Sequence, residues 1–326
     1  MTMAVRRRPA PTVVGSVGTT CPLVVSVLVV SAVVAGLLVA APPVGAAPPA
    51  PPLYGVTIDH VSHLAAVVSA ERALPERPTT RVYFDVSEPA TYYRSAVAQL
   101  HSVSGVMGEL LDSGDADKIT PDAYEARVQS YLAALGSSVD IWEIGNEVNG
   151  NWTGPYPTGA TDIEDAYGAV AAAGSVSALT LFANEYAPDN CGDGKAELTP
   201  VQYSEQYVPA TVRDGLAYVF ESYYPTECDN AYPTSAQVST EMVQLHALYP
   251  NALLGFGEVG LPRPTTKRTL ATAQKVLSWA YGLQPDLPYY VGGYFWWYSY
   301  QDAFSGRKLL ASPLTDAFRA EAAALG

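Results

Sequence analysis

From Leu53 onward the chain alternates short β-branched or aromatic runs with longer amphipathic stretches, and it does so eight times. The strand-like runs lie at Leu53–Ile58, Arg81–Val86, Gly105–Leu110, Asp140–Gly145, Leu179–Ala183, Tyr218–Ser222, Leu253–Glu258 and Tyr290–Trp296. Helix-like stretches follow them at 61–73, 91–101, 121–135, 162–173, 202–214, 236–248, 266–282 and 313–324. Strands alternating with helices of this length build βαβ units and a parallel sheet. Eight such units in about 270 residues fit an α/β fold of the (β/α)8 barrel type, whose usual size is about 250 residues. A doubly wound sheet is the alternative. It calls for a glycine-rich phosphate loop after the first strand, where Ile58-Asp59-His60-Val61 has none.

The expected barrel occupies 53–326 as a single domain, and what precedes it reads as an export signal. Arg6, Arg7 and Arg8 lead, no acid occurs before Asp59, and an apolar run spans Pro22 to Ala41. Small residues then close at Val44-Gly45-Ala46, so 1–46 is expected to be a cleaved signal peptide and 47–52 a Pro/Ala-rich linker. A retained anchor is the alternative, because about 20 apolar residues can span a bilayer. The arginines hint weakly at the twin-arginine route. Cleavage implies a secreted protein with no stable membrane partner, expected to be a monomer, and it removes Cys21. Cys191 and Cys228 remain, an even pair in an oxidising compartment, from which one disulfide is expected. The two cysteines follow strands five and six, neighbours in a barrel, so the bridge would pin two rim loops together.

Composition narrows the chemistry. With 48% hydrophobic and 15% charged residues, the chain has a core to bury and is no disordered tail. With 18 Lys+Arg against 32 Asp+Glu, the formal charge of -14 excludes nucleic acid as a natural partner. In a (β/α)8 barrel the site forms at the C-terminal ends of the strands. There the chain carries Asp59-His60, Asp85, Glu109 with Asp112, Asn146-Glu147, Asn184-Glu185, Glu221 with Tyr223-Tyr224, Glu258 and Trp296-Trp297. A rim of acids and aromatics almost without Lys or Arg cannot hold phosphates, but it suits neutral, hydroxyl-rich rings.

Two runs are more specific: Val139-Asp-Ile-Trp-Glu-Ile-Gly-Asn-Glu-Val-Asn149 at the fourth strand and Ala252-Leu-Leu-Gly-Phe-Gly-Glu-Val-Gly260 at the seventh. Here the sequence resembles the clan A glycoside hydrolases, retaining enzymes on a (β/α)8 barrel. In that clan a Glu preceded by Asn after the fourth strand is the acid/base, and a Glu ending the seventh is the nucleophile. The resemblance implies that Glu147 is the acid/base and Glu258 the nucleophile, with Asn146 donating to the sugar 2-hydroxyl. It places Tyr223 at the nucleophile, through a His-x-Tyr pattern that Glu221-Ser222-Tyr223 matches only at the tyrosine. Trp296 or Trp297, with Trp297 preferred, would floor the sugar.

Glu221, Asp85 and Glu185 are further expected substrate contacts, and Glu109 is a candidate subsite acid. Glu143 reads as a structural carboxylate paired with Arg81 inside the barrel, because a buried acid needs a partner. The implied partner is a poly- or oligosaccharide, with no cofactor and no metal. One rival is a non-catalytic carbohydrate-binding barrel. Another is a metal-dependent hydrolase using His60 and His63, for which only His101 and His246, both within predicted helices, remain as further ligands.

Overall fold

Eight parallel strands close into a barrel in chain order in the computed structural model of the protein. They are β1 (Leu53–Ile58), β2 (Thr79–Tyr83), β3 (Gly105–Glu109), β4 (Ile141–Glu143), β5 (Ser177–Phe182), β6 (Tyr218–Tyr223), β7 (Leu253–Val259) and β8 (Tyr290–Trp296). The structure describes residues 51–156, 158–187, 191 and 198–325, with backbone alone at 158–161. The expected leader at 1–46 and linker residues 47–50 lie outside the described residues. Among the described residues no helix is long and apolar enough to cross a membrane.

The helices are α1 (Leu64–Glu71), α2 (Ala90–His101), α3 (Pro121–Leu135), α4 (Thr158–Ala172), α5 (Pro200–Tyr207), α6 (Ala210–Gly215), α7 (Ser235–Leu248), α8 (Leu270–Ala280) and α9 (Ala311–Leu325). Side-chain caps set several starts. Thr120 accepts from Ala123 N ahead of α3, and Thr199 with Gln202 and Thr234 with Gln237 form capping boxes at α5 and α7. The single helix read over 202–214 is two, α5 and α6, separated at Val208-Pro209. Proline fixes its own φ and disfavours helical backbone in the residue before it, so the chain turns there.

Two buried clusters divide the interior. Leu53, Met107, Ile141, Ala178, Tyr218, Phe220, Val291 and Phe295 fill the lower barrel. A larger set, including Val56, Val82, Trp142, Leu254, Leu277 and Phe318, lies between strands and helices. Each large side chain taken out of water contributes about 1.5–3 kcal/mol, so the barrel floor is a solid plug and polar chemistry is confined to its upper end.

One irregularity re-aims a side chain. The β6–β7 register runs Phe220↔Gly255 and Glu221↔Phe256, then shifts to Ser222↔Glu258. The extra residue is Gly257, where a Cβ would lie 2.8 Å from both Phe220 Cβ and Thr180 Oγ1. Only glycine fits that approach, and the bulge turns Glu258 to the same side as Ser222.

The expected disulfide joins Cys191 after β5 to Cys228 after β6 across a sequence separation of 37. Closing a loop of that size contributes about 4 kcal/mol on the chain-entropy model.

Candidate active site

Arg81 of β2 stands at the centre of the upper barrel, fully buried. Its Nε donates to Glu143 of β4 at 2.6 Å and its Nη1 to Glu258 of β7 at 2.8 Å. Its Nη2 lies 3.1 Å from the second Glu143 oxygen and 2.9 Å from Glu109 of β3. Thr180 also donates to Glu143. The Arg81–Glu143 pair expected from the sequence is therefore present. Glu109, read as a rim acid, is 0% exposed and belongs to this core instead.

One guanidinium cannot neutralise three buried carboxylates, so the cluster retains protons. Burial drives Glu109 well above the usual carboxylate range despite Arg81, and neither of its oxygens receives an aligned hydrogen bond. The carboxyl with the fewest donors is the natural proton carrier. Burial also pushes Glu258 up to about 8. Arg81 pulls against this, the Glu147 charge adds to it, and the Tyr224 hydrogen bond opposes it.

Glu258 accepts from Arg81 and Asn146 on one oxygen, the latter at 3.5 Å, and from the Tyr224 hydroxyl on the other. Glu147, in the loop after β4, accepts from Ser222 Oγ at 2.6 Å and from Ser113 Oγ at 2.7 Å. Burial raises its pKa, and those two hydroxyls lower it. Asn146 Oδ1 accepts from Ser113 N at 3.1 Å, which turns its amide toward Glu258. The Glu147 backbone lies at φ 47°, left-handed and costing a non-glycine residue about 1–2 kcal/mol. Asn149 anchors the loop from the other side, donating to Phe182 O at 2.8 Å and accepting from Phe182 N at 2.7 Å.

The tryptophans part company. Trp296 is 1% exposed and donates from Nε1 to Asp302 at 2.9 Å, inside the layer between barrel and helices. Trp297 borders the site, with the Arg81 guanidinium 5.2 Å from its ring and Tyr83 edge-on at 6.4 Å. Tyr83 in turn donates to Asp115 at 3.2 Å.

Other expected contacts lie elsewhere. Tyr223 does not reach Glu258: it donates to Ala231 O at 3.0 Å and packs on Tyr186 and Trp279, outside the barrel. Strand alternation explains this, because Ser222 points inward and its neighbours Glu221 and Tyr223 therefore point outward. The inward pair is Ser222-x-Tyr224, one residue beyond the expected pattern. Glu221 is thus behind the wall, accepting from Tyr186 at 3.0 Å, and Glu185 joins it there with Glu241 of α7. Asp85 lies on the rim loop after β2, where Ser87 N and Oγ occupy its Oδ1 at 2.8 and 2.7 Å. It is not drawn to the Glu147–Glu258 site.

Sequence reading missed Tyr224, Ser222, Ser113 and the Arg81 contact to Glu258. Counting parity down β6 could have found the first two. Ser113 carries no such signal, because it opens a short 3-10 helix after β3 that Asp112 caps.

The histidines are dispersed. His60 and His63 cluster with Tyr300, His101 pairs with Asp140 at 3.1 Å, and His246 stacks on Tyr289.

No family model matches the chain, and no curated protein matches it in sequence. In fold, the chain is similar to solved glycoside hydrolases of clan A. A GH10 xylanase from Bispora sp. MEY-1, solved with xylobiose, superimposes with a TM-score of 0.54 at 13% identity, over 76% of this chain and 83% of that one. Xylanase 10B from Thermotoga petrophila RKU-1, in complex with xylobiose, gives 0.52 at 12% identity over 81% and 93% of the two chains. Native xylanase 10B from Thermotoga maritima gives 0.50 at 12%, over 81% and 94%. At these identities the likeness is one of fold.

Proposed function

We propose that the protein is a secreted retaining glycoside hydrolase that cleaves O-glycosidic bonds of a poly- or oligosaccharide, with Glu258 as nucleophile and Glu147 as acid/base. The observation that carries this reading is the joint holding of two buried carboxyls at one barrel end. Asn146, next to Glu147, donates to Glu258, while Ser222 of β6 donates to the first carboxyl and Tyr224, just past β6, to the second.

The chemistry follows from those contacts. A Glu258 oxygen in its ionised form, which Arg81 and Tyr224 favour against the burial that raises its pKa, attacks the anomeric carbon as the bond to the leaving oxygen breaks. Glu147 carries the proton that burial favours and passes it to that oxygen. Water then attacks the glycosyl-enzyme ester from Glu147's side, Glu147 takes its proton, and Glu258 leaves as carboxylate. Retaining chemistry of this kind places the two carboxyls about 5–5.5 Å apart. Trp297 offers a flat apolar face for a sugar ring, and the acidic surroundings favour a neutral substrate. Export by the 1–46 leader would put the enzyme where extracellular polysaccharides are found.

Glu258→Ala and Glu147→Ala are each expected to lower hydrolysis of aryl glycosides by at least about a thousandfold while thermal unfolding changes little. Azide should restore turnover to Glu258→Ala as a glycosyl azide of inverted configuration. Undiminished turnover in either variant, or saturable tryptophan quenching by sugars with no hydrolysis in the wild type, would overturn the reading.

A further inference from the structure

Behind the barrel wall three carboxylates converge from three elements: Glu185 from the loop after β5, Glu221 from the outer face of β6, and Glu241 from α7. One oxygen of each lies within 4.8 Å of the other two. Glu221 is 0% and Glu241 7% exposed. Oε1 of Glu221, Oε1 of Glu241 and both oxygens of Glu185 are buried without a hydrogen-bond partner. The Tyr186 hydroxyl, donating to Glu221 Oε2 at 3.0 Å, is a neutral donor at this cluster. No described Lys, Arg or His pairs with any of the three.

The contrast with the other side of the wall is instructive. There Glu109, Glu143 and Glu258 share Arg81; here three acids share no cation. Leaving one carboxylate buried and uncompensated is strongly unfavourable, and three together more so. Burial and the mutual charges of the trio accordingly raise the pKa of Glu185 and Glu221, and burial takes Glu241 to about 7. A bound cation would remove the penalty and give the orphaned oxygens a partner.

We propose that Glu185, Glu221 and Glu241 form a binding site for a hard divalent cation, calcium in preference to magnesium, that ties the β5 loop, β6 and α7 together. An all-oxygen set excludes metals that favour nitrogen and sulfur. Ca2+ takes six to eight oxygens at about 2.3–2.6 Å in flexible geometry, whereas Mg2+ at about 2.0–2.1 Å demands a near-ideal octahedron. Ligands drawn from a loop, a strand and a helix suit the more tolerant ion. Cys191–Cys228 ties the same β5 loop to the segment after β6, so ion and disulfide brace one region. Glu221 precedes Ser222, so the ion also steadies the strand that presents Ser222 and Tyr224 to the barrel interior.

The test uses the full chain, stripped with EGTA and dialysed, and involves no turnover assay. Titration with CaCl2 in a calorimeter is expected to give a saturable one-site isotherm, weaker with MgCl2. At a hundredfold excess over Kd, Ca2+ should raise Tm by about 5 °C or more. NaCl at equal ionic strength should not. Glu221→Gln keeps the shape and removes the charge. It should lose both responses while its metal-free Tm stays at or above the wild-type value. If that variant does not fold, Glu241→Gln on α7 carries the same expectation. A wild type with no saturable heat and no Tm rise beyond NaCl overturns the proposal and leaves protons as the occupants. A calcium response undiminished in the folded Gln variant overturns it equally, placing the ion elsewhere.

Discussion

The Ser222 hydroxyl donates to Glu147 Oε1 at 2.6 Å, joining residues 75 positions apart. A hydroxyl that donates to a carboxylate favours its charged form, so Ser222 holds the Glu147 pKa below where burial alone would set it. With Glu147 as acid/base, Ser222→Ala should move the basic limb of the kcat/KM–pH profile to higher pH. Looser orientation of the carboxyl should cost about tenfold in kcat. A profile identical to wild type would separate Ser222 from the chemistry.

Arg81 gives a stability prediction that does not depend on substrate. Arg81→Met leaves Glu109, Glu143 and Glu258 buried without their cation, a defect of about 3–5 kcal/mol for a broken buried pair. Without the guanidinium the Glu258 pKa rises further, since Arg81 is what lowers it. At pH 5 more of Glu109 and Glu258 is neutral than at pH 8. Denaturant unfolding at the two pH values should therefore show the larger deficit at pH 8.

The chain as a whole should be more stable in mild acid. Burial raises Glu71 to about 8 although Thr80 donates to it at 2.8 Å, and Glu258 also to about 8. Unfolding returns both toward 4.5, the ordinary value for Glu. A folded pKa above the unfolded one means that the native state binds more protons in between. Its stabilising contribution is complete below about 4.5 and is lost as pH rises through about 8, each unit of difference being worth about 1.4 kcal/mol. Tm measured in EGTA should fall by several degrees between pH 5 and pH 8. A flat or rising curve would contradict the buried, raised carboxyls.

The barrel was legible because strand identity depends on local patterning: β1 and β8 have the expected limits, and α3 starts at Pro121 and ends at Leu135 as read. The Asn146-Glu147 and Gly257-Glu258 runs were legible because they are contiguous. What escaped depends on contacts between distant segments. The β6–β7 bulge at Gly257 is a register event, invisible in either strand alone. Glu221 lies near the end of β6 and Glu109 ends β3, and the two look alike in sequence, yet one faces α7 and the other Arg81. Parity within the strand, set by which neighbour packs inward, decides between them. The split of α5 from α6 is local, and Pro209 marks it in the sequence.

Tyr224 and Tyr223 provide the sharpest comparison, being adjacent and chemically identical but on opposite sides of the wall. Tyr224 donates to Glu258 and so favours its ionised form. With Glu258 as nucleophile, Tyr224→Phe should raise the Glu258 pKa, moving the acidic limb of the kcat/KM–pH profile to higher pH. It should also reduce kcat by about a hundredfold, the scale of one lost electrostatic contact at a reacting group. Tyr223→Phe loses only the bond to Ala231 O, about 1 kcal/mol of stability, and should leave both kcat and the pH limbs in place. Steady-state kinetics across pH on the two variants, with Tm alongside, checks both halves. If Tyr223→Phe shifts the acidic limb and Tyr224→Phe does not, the inward-facing assignment of β6 is wrong.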